Sequence, residues 1–181
     1  MTIVIIFLTV SFAAGVYYYN QLIRRKQLLE EAQSGVDVHL KRRHDLVPNL
    51  IEVAKGYMAH ERNTLESVTR LRQEAIGITK LDARAGVENQ LTQGLRSVFV
   101  LAENYPQLKA DGQFQSLHKN LVLIEDELQL ARRYYNGTVR DFNVLVQSFP
   151  SNFVANAFHF HPQAFFEIET ATERLAPEVR I

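Results

Sequence analysis

Between residues 114 and 149 the chain carries two interleaved rows at seven-residue spacing. Phe114, Leu121, Leu128, Tyr135, Phe142 and Phe149 form one row, and Leu117, Ile124, Ala131, Thr138 and Leu145 the other. A strand would alternate every second residue, whereas paired rows of period seven are the mark of a long helix packed along another long helix. A helix is therefore predicted from about Gln113 to Ser148, closed by Pro150, and it requires a neighbour of similar length.

The first third of the chain supplies that neighbour. Leu22, Leu29, Val36, Leu50 and Tyr57 also fall seven apart, with one gap, at Arg43. Gly35 costs a helix about 1 kcal/mol, whereas an interior proline removes a hydrogen bond and costs about 3 kcal/mol, so Pro48 is the serious interruption. Asp45 is suited to cap a restarted helix with Pro48 in its first turn, and a bend is expected from Arg43 to Val47. The periodicity then continues through Leu65, Val68 and Leu71 to about Gly77. A connection over Ile78–Gly86 leads to a second helix from about Val87 to Glu103, which Asn104-Tyr105-Pro106 ends because a residue before proline avoids the helical region. Leu108–Gly112 reads as a turn. Beyond Pro150, the phenylalanine-rich SNFVANAFHFHPQAFFEIE is expected to make a short helical turn and an extended piece folded back on the bundle. Ala171–Ile181 reads as a polar tail.

Ahead of the bundle, Ile3–Tyr19 is an apolar run relieved only by Thr9, Ser11 and Gly15. Its seventeen residues rise about 25 Å as a helix, slightly short of a hydrocarbon core of about 30 Å. Tyr17, Tyr18 and Tyr19 are placed for the headgroup belt, and Arg24, Arg25 and Lys26 for snorkelling beyond it. Ser11-Phe12-Ala13 would suit a signal-peptidase site, but no basic residue precedes the run, which argues for an uncleaved anchor. With three cations immediately after it, the positive-inside rule puts the amino terminus outside and the bulk of the chain in the cytoplasm.

Twenty basic and twenty acidic residues cancel, which argues against a nucleic-acid binder. Without cysteine, disulfides and thiolate metal sites are excluded. His60-Glu61 lacks the second histidine of a zinc-protease helix, His159 and His161 alone make a weak metal site, and Glu125-Asp126-Glu127 occupies outer heptad positions. No phosphate-binding glycine loop or serine elbow occurs. Neither catalytic residue nor cofactor is assigned. Lys41, Arg42 and Arg43 form a second basic cluster, open to ion pairs with Asp37, Asp45 or Glu52 or to a protein partner. Phe153, Phe158, Phe160, Phe165 and Phe166 are either satellite core or an exposed patch for self-association or membrane contact.

The wording of several stretches resembles the LemA family of bacterial membrane-anchored helical proteins. Those stretches are VDVHLKRRHDLVPNLIEVAKGYMAHE from Val36, VFVLAENYPQLKA from Val98, ARRYYNGTVRDFN from Ala131, FPSNFVA from Phe149, and Phe165-Phe166-Glu167. Phe142 stands where the family usually has tyrosine, and Phe158-His159-Phe160 where it usually has Gly-Phe and a varied residue. The resemblance implies an all-α fold, an amino-terminal transmembrane helix continuous with an antiparallel bundle of long helices, in the bacterial inner membrane. Residues 1–20 are then the anchor, 21–149 the cytoplasmic bundle and 150–181 a phenylalanine-rich segment and tail. The expected function is a non-enzymatic, self-associating scaffold whose partners are the lipid bilayer, further copies of itself and possible membrane proteins. An adaptor for a membrane protease or transport complex, and a hydrolase, are the alternatives.

Overall fold

The computed structural model describes residues 1–166, apart from the side chains of residues 81 and 82. Expectations for Glu167 and the tail lie outside the described residues. Among the described residues six helices follow in order: α1 (Thr2–Tyr57), α2 (Arg62–Gly77), α3 (Leu81–Ala102), α4 (Pro106–Ala110), α5 (Gly112–Gln147) and α6 (Ser151–Ala157). The fold is all-α, with a long apolar amino-terminal helix as expected. The described residues form two compact units, residues 1–40 with 126–165, and residues 41–125 with Phe166.

Four features differ from the sequence reading. α1 runs unbroken through Pro48, α2 is separated from it at residues 58–61, α3 begins at Leu81 rather than Val87, and the short helix α4 occupies Pro106–Ala110 where a turn was expected from Leu108. The continuity of α1 has a specific cause. A proline at position 48 leaves the carbonyl of His44 without its helical donor, and Arg72 of α2 supplies one, its Nε donating to the His44 oxygen at 2.6 Å. A tertiary contact thus substitutes for the missing backbone bond.

In the second unit α1, α2, α3 and α5 enclose a core that includes Val47, Leu50, Val68, Leu91, Val98 and Leu121. A Cβ added at Gly94 of α3 would stand 3.0 Å from Val68 Cγ2, so the close approach of α2 and α3 there uses the absence of a side chain. Pro106 occupies the first turn of α4, which tolerates a missing N–H. Asp111 starts α5. Its Oδ1 accepts from the N–H groups of Gln113 and Phe114, both at 2.9 Å, a side-chain cap on otherwise unpaired donors. The Phe114 N–H, the Tyr57 hydroxyl at 3.1 Å and the Gln113 N–H hold the Asp111 carboxyl below its usual range, and the same carboxylate raises the Tyr57 hydroxyl.

Along α5 the buried positions are Phe114, Leu117, Leu121, Ile124, Leu128, Arg132, Tyr135, Val139, Phe142 and Val146. The second row therefore shifts by one residue, from the expected Ala131, Thr138 and Leu145 to Arg132, Val139 and Val146. Leu121 to Arg132 is an eleven-residue step, the insertion that lets a helix of 3.6 residues per turn keep facing its neighbour when a strict repeat of seven would drift.

In the first unit α6 ends in a Schellman motif. The Phe160 N–H donates to the Ala155 carbonyl at 2.9 Å and the His159 N–H to that of Asn156 at 3.3 Å, with His159 left-handed at φ 57°. The chain then returns along α5, where Gln163 and Asn143 exchange two hydrogen bonds at 2.7 and 2.8 Å and the Tyr135 hydroxyl donates to the Ala164 carbonyl at 3.1 Å.

Replacing Arg72 by leucine is expected to destabilise the protein by about 2 kcal/mol, the scale of a hydrogen bond from a charged donor. In a Pro48→Ala background, where the helix supplies its own donor, the same replacement should cost much less. Equal costs in both backgrounds, measured by denaturant unfolding, would refute the substitution of Arg72 for the missing N–H.

Candidate functional site: a buried ion-pair network

Arg43, the residue at the gap in the α1 row, is fully buried, as is Glu88 of α3. Arg43 continues the seven-residue series from Leu22, Leu29 and Val36 to Leu50, so the helix directs its side chain into the core. Glu88 lies on the stripe formed by Ala85, Leu91, Leu95 and Val98. One Nη of Arg43 contacts Glu88 Oε2 directly. The other donates to Thr92 Oγ1 and to Glu125 Oε2, each at 2.7 Å. The Thr92 hydroxyl also lies 3.1 Å from Glu125 Oε1. His44 Nε2 stands 3.0 Å from Glu88 Oε1, and Arg84 Nε stands 3.8 Å from the same oxygen.

Burial alone would push the Glu88 carboxyl up. The hydrogen bond with His44 and the charge of Arg43 outweigh it and hold the group below the usual carboxylate range. A carboxylate surrounded in this way by Arg43, His44 and Arg84 is committed to neighbours. Its chemistry is to lock α1, α3 and α5 at one level, since removing any partner leaves a charge in low dielectric. Among the described residues no group of three or more His, Asp or Glu side chains could hold a metal ion.

The sequence-predicted sites divide accordingly. Lys41 and Arg42 are exposed, whereas Arg43 is buried in the core. Glu125, expected on a solvated face, is half-buried against Arg43 because the eleven-residue step turns its position inward. Tyr17 is exposed and Tyr18 and Tyr19 half-buried. Arg24, Arg25 and Lys26 are exposed, with Arg25 3.3 Å from Asp141 and Lys26 3.8 Å from Glu30. Of the phenylalanines, Phe166 is buried and Phe160 half-buried, whereas Phe153, Phe158 and Phe165 face outward. The returning segment therefore does not bury the rings as a group. His44, Glu88 and Thr92 escaped the sequence reading. A charged residue in an apolar row was the available signal, both at Arg43 and at Glu88.

The LemA family model matches residues 32–181. The chain belongs to the LemA family. It is similar to Protein LemA of Metamycoplasma hominis, with 26% identity over 161 residues covering 84% of this chain and 73% of that protein. It is also similar to the magnetosome protein MamQ 2 of Paramagnetospirillum magneticum, at 21% identity covering 84% of this chain and 66% of that protein. The magnetosome protein MamQ of Magnetospirillum gryphiswaldense is 20% identical, covering 89% of this chain and 70% of its own length. In this LemA-family chain the match takes in the whole ion-pair network.

Arg43→Met should destabilise by about 3–5 kcal/mol because buried Glu88 loses its direct guanidinium partner, while Arg43→Met combined with Glu88→Met should recover most of that loss. Full-length protein in detergent, unfolded by denaturant, reads both. A double variant as unstable as the single would refute the pairing.

The pH dependence has a defined sign. A depressed folded pKa means that Glu88 contributes stability above its unfolded value of about 4.3, and that this is lost as pH falls through the lower folded value. Glu88→Gln should flatten the acid limb of stability against pH. An unchanged limb would show that other carboxylates set it.

Proposed function

We propose that the protein is a non-enzymatic, membrane-anchored scaffold that associates with copies of itself through its long helices. The observation that carries this reading is α1 itself. Its amino-terminal part includes an 18-residue window of mean hydropathy 1.8 with none of it buried, and the same helix continues without interruption into the bundle core. Apolar surface of that length left open in a folded chain calls for a lipid solvent. Tyr17–Tyr19 and Arg24–Lys26 then mark the interface, with the bulk of the chain on the cytoplasmic side of the inner membrane.

Self-association is supported by large apolar side chains left outward on α5, among them Leu130 and Tyr134, which are 59% and 54% exposed. They lie four residues apart on one face, where a second copy would cover them. The network around Arg43 suits a scaffold because it ties α1, α3 and α5 together at one level within the second unit.

Full-length protein purified in mild detergent should form large regular particles by electron microscopy, and Leu130→Lys with Tyr134→Lys should shrink them. A uniform monomer from the unaltered chain would overturn self-association and favour an adaptor that stays small until its partner is added.

A further inference from the structure

Three of the outward phenylalanines, Phe149, Phe153 and Phe158, are gathered at one end of the first unit. Arg25 of α1 is paired with Asp141 of α5, which sets an antiparallel register between the two helices. Each residue toward the start of α1 is matched by one toward the end of α5. Phe149, eight residues beyond Asp141, therefore falls at the level of Tyr17, eight residues before Arg25. A cleft lined by Tyr17, Tyr18, Ser148 and Phe149 agrees with that register. Phe158 lies 4.7 Å from Tyr19 between ring centroids, and Phe149 and Phe153 form an edge-on pair at 5.9 Å. Phe149, Phe153 and Phe158 are 80%, 66% and 57% exposed.

From Phe142 to Phe158 there is no Asp, Glu, Lys, Arg or His. Charges resume only farther along both helices, at Arg24–Lys26 on α1 and at Arg140 and Asp141 on α5. An uncharged segment carrying open aromatic rings, level with the tyrosines at the end of an apolar helix, has the layering of a membrane interface.

We propose that the turn after α5 together with α6 is a second membrane contact, which inserts Phe149, Phe153 and Phe158 into the headgroup–acyl boundary of the same bilayer that α1 crosses. The proposal rests on the membrane-spanning reading of α1. The occupant is lipid rather than a second copy because the patch is continuous with the helix face that lipid would already cover. Two contacts per chain would also hold α1 at a set tilt, which a single helix leaves to its neighbours.

The chain has no tryptophan, so single tryptophans report without background. Full-length Phe149→Trp, Phe153→Trp, Phe12→Trp and Tyr134→Trp would be reconstituted in phosphatidylglycerol/phosphatidylethanolamine vesicles, with and without lipids brominated in the upper acyl chain. Blue-shifted emission and loss of intensity to the bromolipid are expected at 149 and 153. Phe12→Trp reports the span and should be quenched by lipids brominated deeper in the chain. Tyr134→Trp, exposed on α5 well above the tyrosine level, should not be quenched. Quenching at 12 without quenching at 149 and 153 overturns the docking and leaves the span standing. No quenching at 12 overturns the span and the docking with it. Blue-shifted but unquenched emission at 149 and 153 assigns the patch to a protein contact and overturns the lipid assignment.

Discussion

A guanidinium without water is the constraint around which the second unit is arranged. Arg43 sits where an apolar residue would keep the seven-residue row of α1 intact, and its charge is tolerable only because Glu88, Thr92 and Glu125 meet it from two other helices. Apolar rows by themselves are forgiving, since sliding one helix past another by a turn of about 5.4 Å still sets leucine against leucine. A buried ion pair does not survive such a slide. The network therefore disfavours axial alignments that hydrophobic packing alone would accept.

The same unit resolves a second conflict, between a proline and a helix. Pro48 withholds the donor that His44 needs, and Arg72 reaches across from α2 to provide it. His44 is thus held twice, by its carbonyl to Arg72 and by its ring to Glu88. Two local irregularities of α1, a buried cation and a proline, fall within six residues of each other, the first satisfied from α3 and α5 and the second from α2. The result is a helix that runs from its exposed apolar start to the core without a break.

In the first unit the emphasis is on surface rather than core. Leu22, Leu29, Val36, Tyr135 and Phe142 pack inward, but the aromatic rings of α6 remain open next to the tyrosines of α1. Membership of the LemA family accounts for the arrangement of helices and leaves the use of these surfaces to be read from their chemistry, which is apolar, uncharged and placed at one end.

Much was determined by the sequence alone. Period-seven rows identify α1 and α5 because the repeat follows from helix geometry, and Pro106 and Pro150 mark helix ends because proline lacks a donor. Other features depended on tertiary context. The break at residues 58–61 and the early start of α3 carry no breaker stronger than those the chain tolerates elsewhere. Pro48, the strongest breaker inside a predicted helix, ended nothing, since its damage is repaired by a residue 24 positions away. Arg43 and Glu125 resemble surface charges by composition; the register of their helices turns them inward, and partners converging from other helices make those positions tenable. Periodicity is a property of one helix. Satisfying a buried charge or an orphaned carbonyl is a property of several helices at once, and only the assembled bundle decides it.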